Sequence, residues 1–210
     1  MNFLWATSGN SRANLVVAKT SVAKAGVRFV ALAAALAGVS AIATVRTPRV
    51  AAQVPSGKDV VAPTAFASYD PVAPGKTFQI AVVVKIREGF HINARKKSAD
   101  YLIATDLKTD GAGDFKTGDV TYPEGQLRTF SFSKTPLNVY EHTVVLKMTV
   151  VALPGASTGA QHIPLKLRYQ ACSNEVCLPP VTLPVEATVN VAASAGAAHP
   201  AHPELFQTPR

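Results

Sequence analysis

From about residue 63 to residue 192 the chain keeps returning to one pattern: apolar, polar, apolar. Phe78, Ile80, Val82, Val84 and Ile86 alternate with Gln79, Ala81, Val83, Lys85 and Arg87. Val144, Leu146, Met148 and Val150 alternate with Val145, Lys147, Thr149 and Val151. A third run comprises Ile163, Leu165, Leu167, Tyr169 and Ala171, and a fourth Val181, Leu183, Val185, Ala187, Val189 and Val191. A period of two predicts strands. Shorter β-like segments surround Leu102–Leu107 and Phe115–Tyr122, and turn residues punctuate the series at Pro74-Gly75, Asp110-Gly111, Gly113, Pro123, Gly125, Pro154-Gly155 and Gly159. No stretch after residue 62 sustains a 3.6-residue period. The pattern predicts an all-β fold, an antiparallel β-sandwich over residues 63–192, long enough for one core.

The ends differ from this middle. Residues 1–50 contain Arg12, Lys19, Lys24, Arg28, Arg46 and Arg49 and no acidic residue, so six of the eight net positive charges fall there. The basic balance is a property of the leader, and it gives no support to nucleic-acid binding, which needs basic residues clustered on the folded part. Phe29 to Val45 is an uncharged, Ala- and Leu-rich run behind basic residues, and Ala41-Ile42-Ala43 offers a small-x-small cleavage site. This is the layout of a secretory signal peptide over residues 1–43, or of an uncleaved N-terminal anchor helix. No cysteine follows the run to take a lipid. Residues 44–62 are expected to be a linker, and the Ala/Pro/His-rich residues 193–210, with His199 and His202, a disordered tail. An exported domain lies in a compartment that permits disulfides.

That compartment gives weight to the two cysteines, Cys172 and Cys177, in Tyr169-Gln-Ala-Cys172-Ser-Asn-Glu-Val-Cys177-Leu-Pro-Pro180. They fall between two predicted strands, on a loop carried by rigid elements. Closing about six residues contributes roughly 2 kcal/mol, against roughly 4.7 for a hundred-residue loop, so the pair is a weak structural staple. Spacing alone leaves two readings open: a structural hairpin disulfide, or a dithiol that exchanges with a partner. Pro179 and Pro180 cannot donate to a ladder, which predicts that Cys177 lies near an unpaired edge.

Other chemistry is sparse. There is no Gly-rich phosphate loop, GxSxG or HExxH, and no cofactor is expected. Cys172 and Cys177 with His91 or His142 do not follow a zinc pattern, so no metal is expected. His91 is expected to be hydrogen-bonded at a strand end.

Gly89-Phe90-His91-Ile92-Asn93, Val120-Thr-Tyr122-Pro-Glu-Gly125, the stretch from Phe130 to Tyr140 and above all Tyr-Gln-x-Cys172…Cys177-x-Pro-Pro resemble the N-terminal periplasmic domain of the thiol:disulfide interchange protein DsbD. The resemblance covers about residues 63–192. It implies an immunoglobulin-like sandwich, in the periplasm, relaying reducing equivalents through Cys172 and Cys177 to disulfides of exported proteins. It implies that Cys177 attacks the acceptor and Cys172 resolves the mixed disulfide. It further implies an aromatic cap over the cysteines, here Phe132, then Phe130, with Tyr140 in the same stretch. The implied acceptors are periplasmic thioredoxin-like proteins, including that of cytochrome c maturation, and a disulfide isomerase. The sequence shows neither the multi-span membrane domain nor the thioredoxin-like domain of such proteins, so the expected donor is a membrane thiol transporter acting in trans. The loop between the cysteines has four residues where the best-known members have five. Glu175 between the cysteines opposes thiolate formation, and Lys166 and Arg168 stand on the preceding strand, so a modest carrier is expected rather than a strongly activated enzyme. The competing expectation is a non-catalytic exported β-sandwich that binds a partner protein and keeps a permanent hairpin disulfide.

Overall fold

The computed structural model describes residues 55–206. The expected signal or anchor segment, most of the linker and the last four residues lie outside that range. Among the described residues no helix is long and apolar enough to cross a membrane. Eleven strands dominate: β1 (Val61–Ala67), β2 (Thr77–Ile86), β3 (His91–Asn93), β4 (Asp106–Thr109), β5 (Phe115–Thr121), β6 (Gln126–Arg128), β7 (Leu137–Tyr140), β8 (Thr143–Ala152), β9 (Gly159–Tyr169), β10 (Ala171–Cys172) and β11 (Val181–Val191). They form sheets ordered β1-β2-β8-β5, β11-β9-β4 and β10-β3-β7-β6. Every ladder between these strands is antiparallel.

The alternation explains the burial. In the β2–β8 ladder Phe78 faces Val150, Ile80 faces Met148, Val82 faces Leu146 and Val84 faces Val144. In the β9–β11 ladder Ile163 faces Ala187 and Leu165 faces Val185. All of these side chains are buried in one cluster that joins the two sheets. Each fully buried aliphatic side chain contributes about 1.5–3 kcal/mol by leaving water. The strand prolines obey the ladder rule. Pro63 and Pro184 are on β1 and β11, which are sheet edges, and Pro164 lies on β9 one residue beyond its last β4 partner, Leu165.

Three expectations are corrected. The segment around Leu102–Leu107 becomes a strand only from Asp106; Leu102 sits in a turn, its N–H donating to the Ala99 carbonyl, and is buried in a second, smaller cluster. The end of the expected linker is part of the fold: Gly57–Asp59 form a 3-10 turn capped by Ser56, Val60 is buried, and β1 begins at Val61. The expected disordered tail is placed as far as Phe206. The His199 carbonyl accepts from Asp70 N–H at 3.0 Å, Ala201 N–H donates to the Ser68 carbonyl at 2.9 Å, and the His202 ring lies 4.7 Å from Phe66. A single helical turn, α1 (Pro203–Phe206), follows. Low apolar content predicted disorder, but residues 68–72 offer backbone donors and acceptors, and pairing them orders the tail without a large apolar contribution.

Candidate functional site: a cystine and a ring stack

Tyr169 ends β9, and its hydroxyl donates to the Gly57 carbonyl at 2.7 Å. The chain then changes sheet. The long strand expected through Ala171 breaks at Gln170, and Ala171 and Cys172 pair instead with Ile92 and His91 of β3. The Gln170 side chain holds this switch. Its Oε1 accepts from Asn93 Nδ2 and from Ile103 N–H, both at 3.4 Å, and its Nε2 donates to the Leu178 carbonyl at 3.3 Å. It therefore ties the strand before the cysteines to the segment after them.

Cys172 and Cys177 are joined in a disulfide. The intervening residues form a tight reversal. Ser173 N–H donates to the Val176 carbonyl at 2.8 Å, and Ser173 Oγ accepts from the N–H groups of Glu175 and Val176. Leu178 N–H donates to the Ala171 carbonyl at 2.8 Å, so Cys177 follows Cys172 outward at the β10 edge of its sheet. The two sulfur-bearing residues differ in access: Cys172 has no exposed surface, whereas Cys177 is half-buried. Pro179 and Pro180 are exposed.

Side chains alternate across the small sheet, and the alternation separates two environments. Ala171, Ile92 and Tyr140 belong to the main core. Cys172 and His91 are cross-strand partners on the opposite face, where Leu102, Phe130, Leu137 and Val139 form the second cluster. Directly opposite residues of an antiparallel pair have Cβ atoms about 4.5–5.5 Å apart. The His91 ring is stacked by Phe130 at 3.9 Å between centroids, and Phe132 stacks on Phe130 at 5.5 Å. Phe130 is buried, while Phe132 is 39% exposed. Ser131 Oγ, between the two rings, donates to the Asn174 carbonyl at 2.7 Å and ties the ring-bearing loop to the cysteine loop.

The placements are thus unequal. Cys172, Cys177, Phe130 and Phe132 are brought together. Tyr140 is not in the ring stack. It lies on the other face, buried, its hydroxyl donating to the Pro123 carbonyl at 2.8 Å and accepting from Arg95 N–H at 3.3 Å. His91 stands at a strand end as expected, first in β3, but without the hydrogen bond expected there. It is buried and its Nε2 has no hydrogen-bond partner in the protein. Burial pushes its pKa down to about 4, against the opposing charge of Glu141. A Gly-Phe-His-Ile-Asn stretch marks His91 only as a strand residue, so its place beside Cys172 had no local signal.

The charged candidates lie elsewhere. Glu175 is exposed, and Lys166 Nζ is paired with Asp110 at 2.7 Å. Both cysteine sulfurs are committed to each other, and His142 is exposed on the turn between β7 and β8. Among the described residues no group of three or more His, Cys, Asp or Glu side chains is arranged to hold a metal ion.

Gly125 shows how tightly the neighbouring loop is seated. A Cβ there would overlap the Asn138 side chain and come within 2.6 Å of Ala94 Cβ. Asn138 is itself held by Lys96 and Ser98. Gly125→Ala is expected to cost about 1–3 kcal/mol by overpacking, measured as a lower urea midpoint with unchanged slope.

The site is thus a disulfide between one buried and one half-buried cysteine in an all-β domain, its loop hydrogen-bonded to a ring-bearing loop. The chain belongs to the family of the N-terminal domain of the thiol:disulfide interchange protein DsbD, whose family model matches residues 58–188. No curated protein matches the chain. Among solved structures it is similar to the N-terminal periplasmic domain of ScsB from Proteus mirabilis, at 14% identity, over 63% of this chain and 47% of that chain, with a TM-score of 0.43. It thus spans about half the length of that chain. It is also similar to the complex between the DsbD N-terminal and PilB N-terminal domains from Neisseria meningitidis, at 20% identity, over 65% of this chain and 88% of that chain, with a TM-score of 0.40.

Proposed function

We propose that this domain is a periplasmic thiol–disulfide carrier with an immunoglobulin-like strand arrangement. It passes two electrons from a membrane thiol transporter to disulfides of thioredoxin-like or isomerase-type acceptors. In the reduced form the Cys177 thiolate attacks an acceptor sulfur, breaking the acceptor S–S bond and releasing one acceptor thiolate. The Cys172 thiolate then attacks Cys177 Sγ, re-forms the internal disulfide and releases the second acceptor thiolate. Two protons accompany the two electrons. The unequal access of the two cysteines carries this reading: the half-buried Cys177 is open to a partner, and the buried Cys172 is reserved for the internal step. Phe132 and Phe130 act as the cap, held closed by the Ser131–Asn174 hydrogen bond and, at Phe130, by burial in the second cluster. The bond contributes about 0.5–1.5 kcal/mol, so the partly exposed Phe132 is the ring that a docking partner displaces first. Glu175, exposed between the cysteines, opposes thiolate formation, so the carrier is a modest one.

The test is reduction of the native protein. Millimolar dithiothreitol is expected to open the disulfide while circular dichroism stays native, and Phe132→Ala is expected to open it several-fold faster. A bond that yields only as the protein unfolds would instead establish a permanent structural cystine in a partner-binding domain.

A further inference from the structure

The internal step has a difficulty. Only a thiolate attacks a disulfide, and Cys172 is sealed from solvent, so no bulk water reaches its thiol proton. A base within the protein has to receive that proton. Resting on the carrier reading above, we propose that His91 is the general base for Cys172. The β3–β10 register places the two residues directly opposite on one face of the sheet. His91 has a buried ring nitrogen, Nε2, that no protein group occupies. The same Phe130 ring that belongs to the cap lies flat on the imidazole at 3.9 Å.

The proton balance is simple. In the mixed disulfide, His91 takes the Cys172 proton and becomes imidazolium. The thiolate attacks Cys177 Sγ, and the departing acceptor thiolate is protonated from His91, which returns to neutral. No external oxidant or reductant enters beyond the acceptor disulfide itself.

The cap sets the timing. While Phe130 covers it, burial holds the imidazole neutral, so it is ready to accept. Displacing the rings relieves part of the imidazole's burial and raises its basicity, while the docked acceptor takes their place in keeping bulk water from Cys172. The surrounding charges agree. Glu141, following β7, favours the imidazolium and is itself paired with Arg128 of β6 at 2.8 Å. Cys172 is the titratable group on β10. The cap loop presents rings to His91, and its Lys134 is exposed, as is Glu175 on the cysteine loop.

The reduced full-length protein, mixed with the aromatic disulfide 5,5′-dithiobis(2-nitrobenzoate) in a stopped-flow instrument, separates the steps. Thionitrobenzoate release comes in two phases: attack by Cys177, then resolution by Cys172. His91→Gln is expected to leave the first phase within about twofold and to slow the second about a hundredfold near neutral pH, the usual scale of a lost general base. The wild-type second phase is expected to fall as the pH drops through the imidazole range, with no matching inflection in the first. A second phase within twofold of wild type in both His91→Gln and His91→Phe, or a wild-type second phase without that inflection, overturns the proposal. Absence of both phases in the wild type overturns the carrier reading and this proposal together, whereas an intact wild-type pair of phases leaves the carrier reading standing whatever His91 does.

Discussion

Cys172→Ala is expected to stop the exchange reaction at a covalent complex. Cys177 retains its access and attacks an acceptor disulfide, but the internal nucleophile is gone and the mixed disulfide persists. Non-reducing electrophoresis with a thioredoxin-like acceptor is expected to show one band at the summed mass, released by dithiothreitol, while turnover falls to the uncatalysed rate. Cys177→Ala is expected to lose turnover equally and to trap nothing, because the remaining thiol is buried. Both variants should fold. The loop closed by this disulfide is short, and losing it costs about 2 kcal/mol, against a core of some thirty buried side chains. The asymmetry between the variants is the informative result. Equal trapping through either cysteine would show that the difference in burial has no chemical consequence.

Acidification from about pH 6.5 to about pH 4 is expected to remove roughly 3 kcal/mol of stability through His91 alone. Its pKa is about 4 in the folded protein against 6.5 when freely solvated. Between these values the unfolded chain binds a proton that the folded protein excludes. Stability therefore rises with pH across the window, is complete above about 6.5, and is lost as the pH falls toward 4. A tenfold difference in proton affinity between the two states is worth about 1.4 kcal/mol. Urea unfolding near pH 7 and near pH 4 isolates the contribution when wild type is compared with His91→Gln, since carboxylate titration is common to both. The variant is expected to lose about 3 kcal/mol less on acidification. Equal losses would mean that the imidazole is charged in the folded state.

Much of the fold was legible because burial on one face of a strand enforces alternation. Thr77–Ile86 and Thr143–Ala152 fall on the predicted runs within a residue or two. The misses have separate causes. At Gln170 the apolar alternation continues through Ala171, but the chain crosses from one sheet to another, and a period of two does not say which sheet a residue joins. Strands as short as His91–Asn93 and Gln126–Arg128 offer too few residues for any period. The tail was misjudged because it is ordered by backbone pairing, which leaves no mark in hydropathy.

At the site the same division holds. Sequence alone determined that two cysteines stand with four residues between them before paired prolines, on a strand-to-strand connection, with phenylalanines at 130 and 132 in a stretch that resembles a cap. These are local facts, carried by residue type and spacing. The paired prolines also placed Cys177 near an open edge, but tertiary structure alone decided that Cys172 is sealed, that Tyr140 faces the main core, and that His91 lies across from Cys172 beneath Phe130. Residues 91, 130 and 172 meet only through the register of separate strands and the face each side chain takes. Register depends on pairings distant along the chain, which no local pattern encodes.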